Sequence, residues 1–243
     1  MNRIVNRQAK KDISADERLI VALDVPRAAE AKALVDQLGD SVSFYKLGLE
    51  LSMSGDYFSL IDWLQERGKK IFADLKFFDV PETVARAVRQ LTDRNIHFVS
   101  IHGDDAMLKA AVAVKKDLKI LAVTVLTSLN RQDLADLGFQ CEVEDLVLSR
   151  ARRALQLGCD GVISSGLEAA RLRDRLGEQF LVISPGIRPL ENRREDDQKR
   201  VVTVEQAFAD GADYIVVGRP IRDAVNPKGA ADAIQAIIAH ALL

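Results

Sequence analysis

The sequence predicts a single-domain α/β protein folded as a closed (β/α)8 barrel, the TIM barrel. Short apolar runs rich in β-branched residues alternate eight times with longer segments of helical periodicity. The runs are almost continuously apolar, which is typical of parallel strands buried on both faces. All eight units fit within residues 19–243, and barrels of this class often comprise about 250 residues in one domain.

An open, doubly wound sheet is the alternative arrangement of repeated β-α units. A dinucleotide-binding sheet of that kind should show the pattern G-x-G-x-x-G after an early strand. The first apolar run leads instead into Asp24-Val25-Pro26. This difference favours the closed barrel.

The predicted strands follow the apolar runs, and the predicted helices follow the helical periodicity. Pro81 and Pro227 suit the first turn of a helix, where a missing N–H costs nothing. Glycines follow several helices directly, at positions that often need a left-handed residue; they are Gly39, Gly68, Gly158, Gly177 and Gly211. The predicted strands are residues 19–25, 43–49, 70–76, 98–103, 119–126, 161–166, 180–187 and 214–221. The predicted helices are residues 28–38, 57–67, 81–94, 105–116, 143–157, 167–176, 204–210 and 227–242.

Composition and charge exclude several classes of protein. Hydrophobic residues make up 48% of the chain and charged residues 29%, which is a globular rather than a disordered profile. The net charge of −2 argues against a nucleic-acid polymer as partner. No apolar run reaches the ~18 residues of a membrane span. Cys141 and Cys159 fit no metal-ligand spacing.

The first residues differ in character from the rest of the chain. Residues 1–18 are polar and lack the apolar core of a signal peptide. We therefore expect a polar N-terminal tail over residues 1–18, a catalytic barrel over residues 19–243, and a cytoplasmic protein.

The third predicted strand carries charge where a barrel interior is normally apolar. Asp74 and Lys76 are two residues apart, so their side chains share one face of the strand. A lone buried pair of this kind is as readily a structural salt bridge as part of a site. Lys46 on the neighbouring predicted strand favours a site, because two lysines and an aspartate would then converge at one layer of strand ends.

The last two predicted strands end in residues suited to phosphate. They lead into Pro185-Gly-Ile-Arg188 and Gly218-Arg219-Pro220, and the corresponding loops of such barrels often bind phosphate. Either segment alone could be a turn with a solvated arginine. The charged segment 189–200 is expected to be a solvated loop that can also close over a bound phosphate, with Gln198 reaching the ligand.

The ordered set of these residues resembles the orotidine 5′-phosphate decarboxylase family. The most specific element is Asp74-Leu-Lys76-Phe-Phe-Asp79, which matches the family pattern D-x-K-x-x-D. Lys46, the Thr127 of Leu-Thr-Ser, and the phosphate segments follow in family order over nearly the whole chain. The resemblance implies conversion of orotidine 5′-monophosphate to UMP and CO2 in pyrimidine biosynthesis, with neither metal nor organic cofactor.

The resemblance also implies individual roles. The catalytic group would be Lys46, Asp74, Lys76 and Asp79. In a homodimer, Asp79 and Thr83 would reach the site of the partner subunit. Asp24 and Lys46 would contact the ribose, and Thr127 and Ser128 the pyrimidine. The phosphate end would comprise Pro185, Arg188, Gln198, Gly218 and Arg219.

One departure from the family pattern follows His102. The sequence there reads Gly103-Asp104-Asp105, where many relatives have a small stretch rich in serine and glycine. Acidic residues suit the positive end of a helix, so we interpret them as a helix start. His102 itself is expected to be a core or supporting residue rather than a proton donor.

Two rival functions fit parts of the pattern. Sugar-phosphate decarboxylases and aldolases of related barrels share D-x-K-x-x-D but use Mg²⁺, and they typically place an acid where this chain has Lys46. A non-catalytic sensor of nucleotide phosphates is the other rival, although such a protein would not need two buried lysines.

Overall fold

The computed structural model describes residues 11–187 and 201–242, and in them the predicted closed barrel is confirmed. Eight parallel strands pair in sequence order, and β1 closes the barrel by pairing with β8. The strands are β1 Leu19–Ala22, β2 Phe44–Gly48, β3 Lys70–Phe77, β4 Phe98–His102, β5 Lys119–Val123, β6 Gly161–Ile163, β7 Leu181–Ser184 and β8 Tyr214–Val217.

Helices surround the barrel on its outer face. They are α1 Ala28–Leu38, α2 Leu49–Ser52, α3 Tyr57–Gln65, α4 Pro81–Thr92, α5 Asp105–Val112, α6 Arg131–Asp136, α7 Val143–Gln156, α8 Gly166–Leu176, α9 Val204–Ala209, α10 Arg219–Arg222 and α11 Pro227–Ala241. Three short helices, α2, α6 and α10, were not predicted. The prediction of a strand over residues 214–221 was too long, because β8 ends at Val217 and α10 begins at Arg219.

Several strands end earlier than their apolar runs predict. β1 ends at Ala22, β5 at Val123 and β7 at Ser184. Leu23 and Thr124 still donate to the neighbouring strands. Beyond them, Asp24 and Val125 line a pocket, as does Pro185 after β7. The last residues of these three apolar runs therefore belong to the wall of the pocket and not to the β-sheet.

The interior of the barrel is filled by its own apolar cluster, which contains four aromatic rings: Phe44, Phe72, Phe98 and Tyr214. Ring centroids lie 5.1 Å apart for Phe44 and Phe98, and 5.2 Å apart for Phe98 and Tyr214. Such edge-on and tilted contacts are the favourable geometries for aromatic pairs. We call this group the aromatic floor, because the polar residues of the pocket stand directly above it.

The end of the barrel opposite the pocket is held by buried ion pairs. Asp213 accepts from Lys11 at 2.6 Å and from Arg173 at 2.8 Å, and it also accepts from the backbone N–H of Val182. Arg18 is buried and donates to the carbonyl of Asp213. Residues 11–18 therefore lie against the barrel. The division into an N-terminal tail over residues 1–18 and a catalytic barrel over residues 19–243 stays a prediction.

None of the described helices is long and apolar enough to cross a membrane.

Candidate active site

A pocket of about 520 Å³ opens at the carboxyl ends of the strands. Many of the predicted site residues line it, namely Asp24, Lys46, Asp74, Lys76, Thr127, Pro185, Gly218 and Arg219. They come from loops and strand ends spread from β1 to β8. Barrel enzymes place their active sites at this end of the strands.

Four charged groups alternate in sign across the pocket. The Nζ of Lys46 lies 2.8 Å from Oδ1 of Asp24 and 3.5 Å from Oδ2 of Asp74. The same Oδ2 of Asp74 lies 2.8 Å from Nζ of Lys76. The side chains of Lys46 and Asp74 are 11% and 9% exposed, whereas those of Lys76 and Asp24 are 39% and 46% exposed. Lys46 and Asp74 therefore form a buried interior pair, and Lys76 and Asp24 form an outer pair that is more accessible from the pocket.

Strand alternation explains why these charges meet above the aromatic floor. Lys46 stands two residues after Phe44, and Asp74 stands two residues after Phe72. Because alternate side chains share one face of a strand, each charge projects from the same inward face as its phenylalanine, one level nearer the pocket. The floor keeps water away from the underside of the charges.

The electrostatics keep the interior pair ionised. Burial opposes the charge of Lys46, but the carboxylates of Asp74 and Asp24 outweigh burial and raise its pKa. Burial likewise opposes the charge of Asp74, but the ammonium groups of Lys46 and Lys76, with a hydrogen bond from Ser100, lower its pKa. Each group is held in its charged form by the other.

The backbone of β3 is irregular where it presents Lys76. Its register against β4 shifts between Ala73 and Phe77, and Lys76 has a φ of 47°. A left-handed conformation at a residue with a side chain costs about 1–2 kcal/mol. The N–H of Lys76 donates to Oγ of Ser100 at 2.9 Å.

Two residues of the site were missed by the sequence analysis. Ser100 donates to Oδ1 of Asp74 at 2.8 Å. It occupies β4 two residues after Phe98, so it repeats the spacing of Phe44 to Lys46, and that repetition was the available signal. Arg222 lines the pocket and donates to the backbone carbonyl of Asp24.

Arg222 also pairs with Asp223 at 2.6 Å. It stands three residues after Arg219 on α10, and residues at that spacing share a helix face. That spacing after the predicted phosphate segment was the signal for Arg222.

Gly48 and Gly218 line the pocket beside the charges, and Gly48 leaves room for them. A Cβ atom at residue 48 would lie 3.2 Å from Nζ of Lys46 and 3.3 Å from Oδ1 of Asp24. A Cβ atom at residue 218 would lie 3.6 Å from Oδ2 of Asp24. A side chain at residue 48 would crowd Lys46 and Asp24, whereas the Cβ atom at residue 218 would make an ordinary van der Waals contact.

Three predicted site residues do not line this pocket. Asp79 is exposed and accepts from the N–H of Val80 at 2.6 Å. Thr83 is half-buried on α4, and Ser128 is exposed. Beside Asp79, Phe78 is 71% exposed and Val80 is 64% exposed. Arg188 and Gln198 lie outside the described residues.

The segment after β4 shows why acids follow His102. The carboxylate of Asp104 accepts from the N–H groups of Ala106 and Met107, so it caps α5. Burial, followed by the positive charges of Arg150 and Lys76, lowers the pKa of His102. Its ring packs edge-on against Phe78 with centroids 5.1 Å apart. The cap formed by Asp104 agrees with the expected helix start. The burial and ring contact of His102 agree with a supporting role for that residue.

Comparison with known proteins assigns the chain to a family. The model of the orotidine 5′-phosphate decarboxylase / HUMPS family matches residues 17–234. The chain belongs to that family. The expected resemblance to orotidine 5′-phosphate decarboxylases is thereby confirmed.

Individual relatives of the orotidine 5′-phosphate decarboxylase family match almost end to end. The chain is 64% identical to the orotidine 5′-phosphate decarboxylase of Methylococcus capsulatus, over 96% of each chain. It is 54% identical to that of Stenotrophomonas maltophilia, over 93% of this chain and 95% of the relative. The crystal structure of orotidine 5′-phosphate decarboxylase from Lactobacillus acidophilus superposes with a TM-score of 0.81 at 35% identity, over 92% of this chain and 99% of that one. These names confirm the prediction of an enzyme of the carboxy-lyase class.

We expect Asp74→Asn to destabilise the protein in a pH-dependent way. Because the folded pKa of Asp74 is lowered, its stabilisation is fully present above the unfolded carboxyl pKa of about 3.9 and is lost as pH falls through the folded pKa. The variant should lose about 3 kcal/mol of unfolding free energy at pH 7, because the buried ammonium of Lys46 would keep only Asp24 as a charged partner. The difference from wild type should shrink as wild-type Asp74 protonates.

Urea unfolding of both proteins from pH 7 to pH 3 measures this difference. Asp93→Asn is the matched control, because Asp93 pairs with Lys116 at the exposed surface and should change stability little at pH 7. A constant difference across the pH range for Asp74→Asn would contradict the assigned ionisation.

Proposed function

We propose that this protein decarboxylates orotidine 5′-monophosphate to UMP and CO2 in de novo pyrimidine biosynthesis. The observation that carries the proposal is the buried carboxylate of Asp74 between the ammonium groups of Lys46 and Lys76, inside a pocket at the catalytic end of the barrel. Membership of the decarboxylase family supports the same reaction.

The reaction needs a cation close to the carbon that loses CO2. When the C6–carboxylate bond breaks, its electron pair stays on C6 in the plane of the ring, where it is not conjugated. The ammonium of Lys76 can stabilise that charge and then transfer a proton from Nζ to C6. An ion pair at about 4 Å gains on the order of 4 kcal/mol at an effective dielectric constant of 20. Asp74 holds the ammonium in place at 2.8 Å.

The remaining residues of the pocket can bind the rest of the nucleotide. Asp24 and Lys46 would contact the ribose, while Thr127 and Ser128 would contact the pyrimidine. The backbone at Gly218 and the guanidinium of Arg219 would bind the phosphate, with Pro185 in the adjoining wall. Arg188 and Gln198, outside the described residues, are proposed for the same phosphate. Phosphate binding is remote from the broken bond, so its free energy can order the charged groups.

We also propose a homodimer in which Asp79 completes the site of the partner subunit. The side chain of Asp79 is exposed and does not line the pocket of its own chain. The exposed apolar residues Phe78 and Val80 flank it, and such a patch suits an interface between subunits. Thr83, on the helix that follows, would accompany Asp79 across the interface.

The proposed enzyme works in the cytoplasm and without metal or organic cofactor. Lys46 supports independence from a divalent metal, because its ammonium already lies between the carboxylates of Asp24 and Asp74. A divalent cation at this position would be repelled by that ammonium. Cys141 and Cys159 are free thiols, which suits a reducing compartment.

Turnover of orotidine 5′-monophosphate in the presence of EDTA tests the reaction. We expect the ultraviolet absorbance change of decarboxylation, at a rate unaffected by the chelator. Metal-dependent cleavage of a sugar phosphate without turnover of the nucleotide would favour the aldolase-type rival. Binding of UMP without turnover would favour a sensor.

Heterodimers test whether the site is shared. We expect Lys76→Ala and Asp79→Asn homodimers to be folded and nearly inactive. A purified heterodimer of the two variants should regain about half of the wild-type activity, because one of its two sites would combine an intact Lys76 with an intact Asp79 from the partner chain. Coexpression with two different affinity tags provides the heterodimer.

The matched control is a heterodimer of Lys76→Ala with Asp74→Asn. Both of these residues line the pocket of their own chain, so neither site would be intact and activity should stay low. If the heterodimer with Asp79→Asn is equally inactive, Asp79 does not act across the interface.

Arg219→Ala tests the phosphate assignment. We expect a loss of about 100-fold in kcat/KM for orotidine 5′-monophosphate, since removing one partner of a charged contact costs about 2–5 kcal/mol. For orotidine, which lacks the phosphate, the same substitution should leave kcat/KM almost unchanged. Equal losses on both substrates would show that Arg219 does not bind the phosphate.

A further inference from the structure

We infer that Ser100 is a positioning residue that sets the relative placement of Lys76 and Asp74. This inference rests on the proposed function, because it concerns the same charged groups. Ser100 lies in the middle of β4 and is fully buried. It does not line the pocket, so it would act through its two neighbours rather than on the substrate.

The hydroxyl of Ser100 connects the backbone of one charged residue with the side chain of another. Its Oγ accepts from the N–H of Lys76 at 2.9 Å and donates to Oδ1 of Asp74 at 2.8 Å. The other carboxylate oxygen of Asp74, Oδ2, faces the ammonium groups of Lys46 and Lys76. Because Ser100 binds one oxygen, the plane of the carboxylate is fixed and the second oxygen points at the lysines.

Because β3 is irregular at Lys76, the backbone N–H of Lys76 requires a hydrogen-bond acceptor outside the regular ladder. Ala73 pairs with Val99 and Phe77 pairs with Ile101, so four residues of β3 advance against two of β4. The ladder is therefore irregular between Ala73 and Phe77, a stretch that includes Lys76, whose φ is 47°. A buried N–H without a partner is costly. The hydroxyl of Ser100 replaces the lost ladder partner and stabilises the left-handed conformation that directs the Lys76 side chain.

The burial of Ser100 makes the arrangement rigid. Phe98, two residues before it, belongs to the aromatic floor, and Ser100 stands above that ring on the same inward face of β4. A hydroxyl in dry surroundings has no water to exchange with, so its two hydrogen bonds persist. Loss of the hydroxyl would leave both the Lys76 N–H and Oδ1 of Asp74 without this partner.

Four single substitutions separate positioning from ordinary structural stability. Ser100→Ala removes the hydroxyl, and Ser100→Cys keeps nearly the same shape with a much weaker hydrogen-bonding group. Ser100→Thr keeps the hydroxyl. Ser184→Ala is the matched control, because Ser184 is also fully buried in a strand and its Oγ has no hydrogen-bond partner among the described residues.

The measurements are kcat for orotidine 5′-monophosphate, Kd for UMP and the urea midpoint. We expect Ser100→Ala and Ser100→Cys to lower kcat by about 10- to 100-fold, because a misplacement of about 1 Å in a reacting group can cost about 100-fold. Their Kd for UMP should stay within about threefold of wild type, since the phosphate contacts are unchanged. Ser100→Thr should recover most of kcat, and Ser184→Ala should retain it.

The inference is overturned if the Ala and Cys variants both keep kcat within about threefold of Ser184→Ala. It is also overturned if kcat and UMP affinity fall by the same factor, which would indicate general damage to the pocket, or if Thr is no better than Ala. Turnover by the wild-type protein distinguishes a failure of the proposed function from a failure of the inference about Ser100. Absence of wild-type turnover would contradict the proposed function, whereas active wild type with an unaffected Ser100→Ala variant would contradict only this inference.

Discussion

One buried carboxylate determines the arrangement of the candidate site. Asp74 lies between two ammonium groups, and the opposite charges around Asp74 and Lys46 keep both groups ionised against the cost of burial. Burial alone would neutralise each of them. Their mutual attraction offsets that cost only at short distance and with the remaining lone pairs satisfied. The nearby glycines, the serine on β4 and the irregular backbone of β3 all contribute to these short distances and hydrogen bonds.

The barrel supplies the required geometry because its strands are parallel and alternate side chains share a face. On three successive strands a phenylalanine of the aromatic floor is followed two residues later by a polar residue, which is Lys46, Asp74 or Ser100. The apolar layer excludes water below, and Lys46 and Asp74 of the polar layer above line the pocket. A low-dielectric layer directly beneath the charges strengthens their interactions with each other and with a bound anion.

Much of this organisation could be predicted from the sequence. The alternation of apolar runs and helical segments predicted the closed barrel, and the pattern around Asp74 and Lys76 predicted charge in its interior. Local pattern could not predict the left-handed backbone of Lys76, because that conformation depends on the register between β3 and β4. Ser100 was missed although its spacing after Phe98 repeats that of Lys46 after Phe44, because one serine in an apolar run has no distinct meaning until its neighbours are known. Arg222 was missed because α10 was not predicted as a helix, so its spacing after Arg219 was not read as one helix face.

The site spans the seam at which the barrel closes. β1 pairs with β8 there, and Arg222, which follows β8, donates to the carbonyl of Asp24, which follows β1. The pocket therefore draws on residues separated by almost the whole length of the chain. During synthesis on the ribosome, its first walls are made long before its last, and a chain that has emerged only as far as β7 lacks Gly218, Arg219 and Arg222. A ligand that binds only the complete pocket can stabilise the finished barrel but cannot act as a template for the folding of a nascent one.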